Sequence, residues 1–178
     1  MKKLYLILLL LGPLFASAQR KENFSNAYLG AMLHNSQAGI SLVNSFGFIR
    51  YAGVGAGVDV TSFCNSLLVP AYFDVRLKYP VGRFIPFALG QFGKPLYNRE
   101  NALTYREENG AVNPIKINGR HFFGTGAGFQ YRAQKVWLFA SYIRRDYKMR
   151  YEGKRDLPHS FDTQFAVNTN IFMVGFTF

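Results

Sequence analysis

The chain has one cysteine, Cys64, and one tryptophan among its 178 residues. A lone thiol forms no internal disulfide, so the fold must be held by its own hydrogen bonding and packing. Histidine is as sparse. His34, His121 and His159 lie far apart with no paired His or Cys spacing, so no metal site is expected and no cofactor is implied. Acidic residues are few, 10 Asp plus Glu against 21 Lys plus Arg. After the first residues no stretch stays apolar for the ~18 residues of a membrane helix, and none keeps a three-to-four periodicity between helix caps. A helical fold, in water or in lipid, is thereby excluded.

The N-terminus is basic at Lys2 and Lys3, then apolar from Leu4 to Leu11, then Ala16-Ser17-Ala18. That is the order of an export signal, with cleavage expected before Gln19. The apolar run is too short to anchor in a bilayer, and no cysteine follows the cleavage point to accept a lipid. Residues 1–18 therefore read as a cleaved signal peptide and 19–178 as one domain.

In that domain apolar residues recur at every second position over about ten residues, between clusters of Gly, Asn, Pro and charge. In residues 67–79, Leu67, Val69, Ala71, Phe73, Val75, Leu77 and Tyr79 alternate with Leu68, Pro70, Tyr72, Asp74, Arg76 and Lys78. Residues 51–61 set Ala52, Val54, Ala56, Val58 and Val60 against Gly53, Gly55, Gly57 and Asp59. Residues 121–132 repeat the device with Gly124, Gly126 and Gly128 on one face. A soluble sheet rarely exposes such a row of glycines, whereas a narrow barrel needs small residues opposite bulky lumen side chains such as Tyr72 and Arg76. The spacing G-x-G-x-G within a strand is not the G-x-G-x-x-G that opens a nucleotide-binding helix.

Further strands are expected at 26–34, 38–47, 84–92, 136–147 and 164–178, which makes eight. Connections at 48–50, 80–83 and 133–135 are short, and those at 62–66, 93–120 and 148–163 are longer. Short periplasmic turns and longer external loops are what a membrane barrel shows. The fold class expected is all-β: a closed, antiparallel, eight-stranded transmembrane barrel of up-and-down topology. A soluble β-sandwich is the rival. Of 18 Phe and 11 Tyr, many fit rings turned toward lipid. A barrel this narrow is filled by its own side chains, with Asp74, Arg76, Lys78 and Arg132 expected to pair inside it, so a porin role is not expected.

The last strand ends with Phe172, Val174, Phe176 and Phe178 on one face. Here the chain resembles the small Gram-negative outer-membrane barrels, the OmpX-like and PorT-like families. The resemblance implies an outer-membrane location and a terminal-aromatic signal read by the barrel-assembly machinery. Phe165, Val167 and Ile171 break the parity of that strand, and a bulge near Asn168 to Asn170 or an earlier strand start would reconcile them.

His34-Asn35-Ser36-Gln37-Ala38 also looks like the His-x-Ser-x-Ala stretch of the lipid A 3-O-deacylases, implying an esterase that uses His34 and Ser36. The match lies early in the chain rather than late, and no acidic partner can be named. Ordinary turn chemistry at Asn35 and Ser36 is the better explanation. A non-enzymatic structural, adhesion or recognition role is therefore expected. Without Lys2 and Lys3 the domain keeps 19 basic against 10 acidic residues. Export argues against nucleic acid, and lipopolysaccharide phosphates are the anions such a protein meets. The densest basic cluster, Arg144, Arg145, Lys148, Arg150, Lys154 and Arg155, reads either as the contact for those phosphates or for an acidic surface partner, or as charge that keeps a loop solvated, with Tyr142, Tyr147 and Tyr151 as an interfacial girdle.

Overall fold

The computed structural model describes residues 25–49, 51–64, 66–106, 112–134, 136–153 and 164–178. The export signal expected at 1–18, with Lys154 and Arg155, lies outside the described residues. The strands are β1 (Ser25–His34), β2 (Gln37–Ile49), β3 (Ala52–Phe63), β4 (Ser66–Lys78), β5 (Phe84–Arg106), β6 (Val112–Ala133), β7 (Val136–Gly153) and β8 (Gln164–Thr177). Each pairs antiparallel with the next, and β8 pairs back onto β1, so the sheet closes as an up-and-down barrel. At the seam Ala27 and Phe178 exchange two backbone hydrogen bonds of 3.1 and 2.9 Å. Closure leaves these strands no open edge along the barrel wall.

The alternation sorts residues as the sequence predicts, with the apolar set outside. On β4, Phe73 is 72% exposed and its neighbour Asp74 is 0% exposed. Leu33, Ile40, Phe46, Leu67, Leu77, Phe92 and Phe172 also point outward. A continuous apolar exterior of this kind is intolerable in water and is what lipid covers, so the barrel is a transmembrane one rather than half of a sandwich. The glycine rows fall on the inner side. Gly57 lies directly opposite Tyr72, and a Cβ at position 57 would come within 2.6 Å of the Tyr72 ring.

Two ends can be distinguished. The terminal end holds Ser25 and Phe178 with Tyr51, residues 79–83 and Gln134; the hairpin end holds Asn35, Ser36 and Cys64. At the hairpin end Asn35 and Ser36 take left-handed φ of 45° and 71°, the two-residue turn whose twist matches the flanking strands.

Four expectations need correction. The loop placed at 62–66 shrinks to positions 64 and 65, because β3 runs to Phe63 and β4 starts at Ser66. The loop placed at 93–120 is mostly strand, since β5 continues to Arg106 and β6 begins at Val112. Likewise β7 continues through 148 to Gly153. The reason is that a strand projecting beyond lipid has no need of an apolar outer row. Its alternation fades although its backbone pairing persists. Register shifts at Gly93/Asn98, Arg99/Leu103 and Gly119/His121 blur the period further. The fourth correction concerns β8, which has no bulge: its pairing with β7 is unbroken from Gln164 to Thr177. Phe165 and Val167 pack against the lumen core that contains Ile171. The parity never breaks; the lumen itself is apolar there.

Candidate functional site

Inside the barrel a row of paired positions runs Gly55, Asp74, Gln91, Gly124, Arg145 and Thr169 across six strands. The glycines make room for the long side chains between them. Arg76 Nε donates to Asp74 Oδ1 at 2.6 Å, and Gln91 Nε2 donates to Asp74 Oδ2 at 2.9 Å. Arg145 Nε donates to Gln91 Oε1 at 2.9 Å and Arg145 Nη1 to Asp59 Oδ2 at 2.6 Å, while Tyr72 Oη donates to Asp59 Oδ1 at 2.9 Å. Two arginines, two aspartates and an amide thus form one connected chain across the lumen. Aromatic rings bracket it: the Arg76 guanidinium lies 3.6 Å over Tyr28, and that of Arg145 is 4.7 Å from Tyr72 and 5.0 Å from Phe122. A lumen so occupied is a packed core, as expected for eight strands.

The expected pairing of lumen charges holds for Asp74 with Arg76 and fails for the others. Lys78 approaches the Tyr28 ring at 5.6 Å, and Arg132 is exposed with its guanidinium 5.8 Å from Trp137. Arg145 takes their place. It was expected to meet lipopolysaccharide, but it is 0% exposed and paired with Asp59. On β7 the period-two rule points 145, 147 and 149 inward and 144, 146, 148 and 150 outward. Tyr147 is buried for the same reason and does not belong to an interfacial girdle.

His34 and Ser36 share no hydrogen bond. His34 is buried in the lumen with its ring 5.9 Å from Tyr147 and 6.3 Å from Phe63, and neither ring nitrogen makes a hydrogen bond of acceptable geometry. Ser36 sits in the exposed turn. The terminal aromatics are placed as expected, with Phe172, Val174, Phe176 and Phe178 all on the outer surface.

The outer face of the β5–β6–β7 extension is where cations gather. Arg144, Lys148 and Arg150 of β7 are exposed there. His121 is directly opposite Lys148, and Asn118 is opposite Arg150. Lys94, Arg120, His121 and Arg150 line one open groove of about 690 Å3, together with Pro95, Gly119 and one carboxylate, Glu152. Two acids on this face are engaged. Glu152 lies 3.5 Å from Lys116 and accepts from Asn118 Nδ2 at 2.5 Å, and Asp146 lies 3.8 Å from Arg144. Among the described residues no carboxylate pairs with Lys94, Arg120, Lys148 or Arg150.

No family model and no curated protein matches the sequence. Among solved structures the chain is similar to the N-terminal β-barrel domain of Pseudomonas aeruginosa OprF, at 10% identity and a TM-score of 0.49 over 89% of this chain and 100% of that one. It is also similar to the Yersinia pestis outer membrane protein Ail in a phospholipid bilayer nanodisc, at 14% identity and a TM-score of 0.47 over 88% and 100%. A de novo designed transmembrane β-barrel gives 11% identity and a TM-score of 0.49 over 90% and 100%. Similarity at this level says nothing of what the chain binds.

Sequence reasoning missed Lys94 and Arg120 because they fell in the loop expected at 93–120, and His121 because it stood at the very start of the strand expected at 121–132. A usable signal was present. Counting by twos from the outward Phe92 reaches Lys94, and from the outward Phe123 back reaches His121.

Proposed function

We propose that the chain is a small integral barrel of a Gram-negative outer membrane, of OmpX-like or PorT-like kind. Its role is structural or in surface recognition, neither enzymatic nor that of a porin. The observation that carries this is the inverted sorting of side chains, with apolar residues outside and a hydrogen-bonded ionic chain filling the inside. Export by the N-terminal signal fits this destination, and the terminal aromatics on β8 fit recognition by the assembly machinery. With Phe178 in the periplasm, the β5–β6 hairpin extends outside the cell. Its cationic face then meets the phosphates of lipopolysaccharide, with Arg144, Lys148 and Arg150 as contacts.

Fractionation with gel mobility tests the reading. The protein is expected in the outer membrane, with a compact unheated form that migrates differently after boiling. Recovery as a soluble periplasmic protein with no mobility shift would falsify it. Deleting Phe178 removes both seam hydrogen bonds to Ala27 and one outward ring. The heat-modifiable, membrane-assembled fraction should fall severalfold, whereas one exposed terminal ring on a soluble sandwich would matter little. In planar bilayers the purified barrel should carry no steady ion current, and a stable open conductance would contradict the filled lumen.

A further inference from the structure

We infer that the break in register between β5 and β6 is a seat for the phosphate of an outer-leaflet lipid, held by Lys94 and Arg120 with Arg150 and His121 beside them. The inference rests on the reading of the chain as an outer-membrane barrel and assigns a particular place and ligand within it.

The break is built into the backbone. Pairing of β5 with β6 is regular up to Gly93 opposite Phe122 and resumes at Asn98 opposite Asn118. On the other side of β6 the ladder to β7 skips Arg120 between Gly119 and His121. Arg120 is therefore an extra residue, and a bulge of this kind re-aims a side chain out of the regular pleat. Gly119 allows β6 to settle on β5 below the groove, since a Cβ there would collide with the Pro95 carbonyl.

Height and direction identify the ligand. Phe92 and Phe123, 57% and 54% exposed, are outward apolar residues on these two strands, and Lys94 and His121 are the next outward positions. Two residues of antiparallel strand rise about 7 Å. For a lipid whose acyl chains lie against Phe92 and Phe123, the first headgroup atoms reach that height. Lys94, His121 and Arg150 stand at exposed positions of the outward parity on β5, β6 and β7, so the groove's cations face the surrounding leaflet. Lys94, Arg120 and Arg150 bring three cations with no carboxylate partner among the described residues, whereas Arg144 nearby is offset by Asp146. Glu152 also lines the groove, but it is taken by Lys116 and Asn118. A phosphomonoester is the complement, because it offers two charges and several acceptor oxygens to an arginine fork and an ammonium.

The test uses the intact chain in phosphatidylcholine nanodiscs containing a minority of bis-phosphorylated lipid A, with lipid A retained per barrel counted by native mass spectrometry. Lys94→Gln with Arg120→Gln should weaken retention about tenfold or more, the order expected for two lost charge-assisted contacts. The heat-induced mobility shift should be unchanged. Arg83→Gln with Arg132→Gln removes the same charge from the terminal end and should leave retention within about twofold, as expected for a screened, distant charge. Equal retention by the Lys94/Arg120 variant, or equal loss in the Arg83/Arg132 variant, overturns the seat while leaving the barrel intact. Displacement of lipid A by inorganic phosphate alone would make this a free-anion site and overturn the lipid assignment. A wild-type chain that neither enters the nanodisc nor shows a mobility shift defeats the barrel reading itself, and the seat with it.

Discussion

Replacing Arg145 by methionine is expected to destabilise the barrel by about 3–5 kcal/mol, the usual cost of leaving one member of a buried ion pair without its partner. Arg145 and Asp59 are both 0% exposed and 2.6 Å apart. Without the guanidinium, Asp59 keeps only the Tyr72 hydroxyl, and Gln91 loses the donor to its carbonyl oxygen. A buried carboxylate with one neutral donor is poorly solvated, and the lumen rings around it cannot help. The pair itself need not be a strong net source of stability, because desolvating two ions offsets much of their attraction. That distinction sets the second arm: Asp59→Leu combined with Arg145→Met should recover a substantial part of the loss. Urea titration of the barrel in lipid vesicles, followed by gel mobility, measures both. A double variant as unstable as the sum of the two singles would show that the two residues are not coupled.

How much of this could be seen beforehand depends on where each residue sits relative to lipid. Where strands cross the apolar layer, one face must be apolar without exception, so residues 67–79 announced both the strand and its direction. The same rule placed Asp59 on the glycine face of β3. Applied strictly along β7 from the outward Tyr142, it would have sent Arg145 into the lumen. Charge density misled there, because a run of basic residues looks like a single surface even when alternate members point in opposite directions.

Beyond the lipid the constraint disappears. Residues 93–120 carry prolines, asparagines and charges that signal a loop, yet backbone pairing needs only a partner strand, not an apolar face. That is why the β5–β6 extension was invisible in the sequence, and why Lys94 and Arg120 were missed. The parity change in β8 was misread for a related reason. The apolar residues of β8 were expected to share one face, whereas Phe165 and Val167 pack with the lumen cluster that holds Tyr147 and Met149. The partner across the barrel decides that, and sequence spacing does not carry it.

The second large effect is expected at Gly57, where valine should cost about 1–3 kcal/mol as overpacking of a filled core. A side chain at this position has one direction to go, into the lumen, and meets the far edge of Tyr72 at 2.6 to 2.8 Å. A free tyrosine ring could swing aside at small cost. This one is held at three points: its hydroxyl donates to Asp59, its face lies 4.7 Å from the Arg145 guanidinium, and its edge packs against Phe122 with centroids 5.9 Å apart. Moving the ring therefore disturbs the ionic chain as well as the packing. If the clash with Tyr72 is the cause, Tyr72→Leu should relieve it, and Gly57→Val with Tyr72→Leu should be less destabilised than the two single losses added together. The coupling should be about 0.5–3 kcal/mol, the range for residues in direct contact. The same urea titration reads it. Strict additivity would mean that valine at 57 acts through the strand backbone and that Tyr72 is not what the glycine row makes room for.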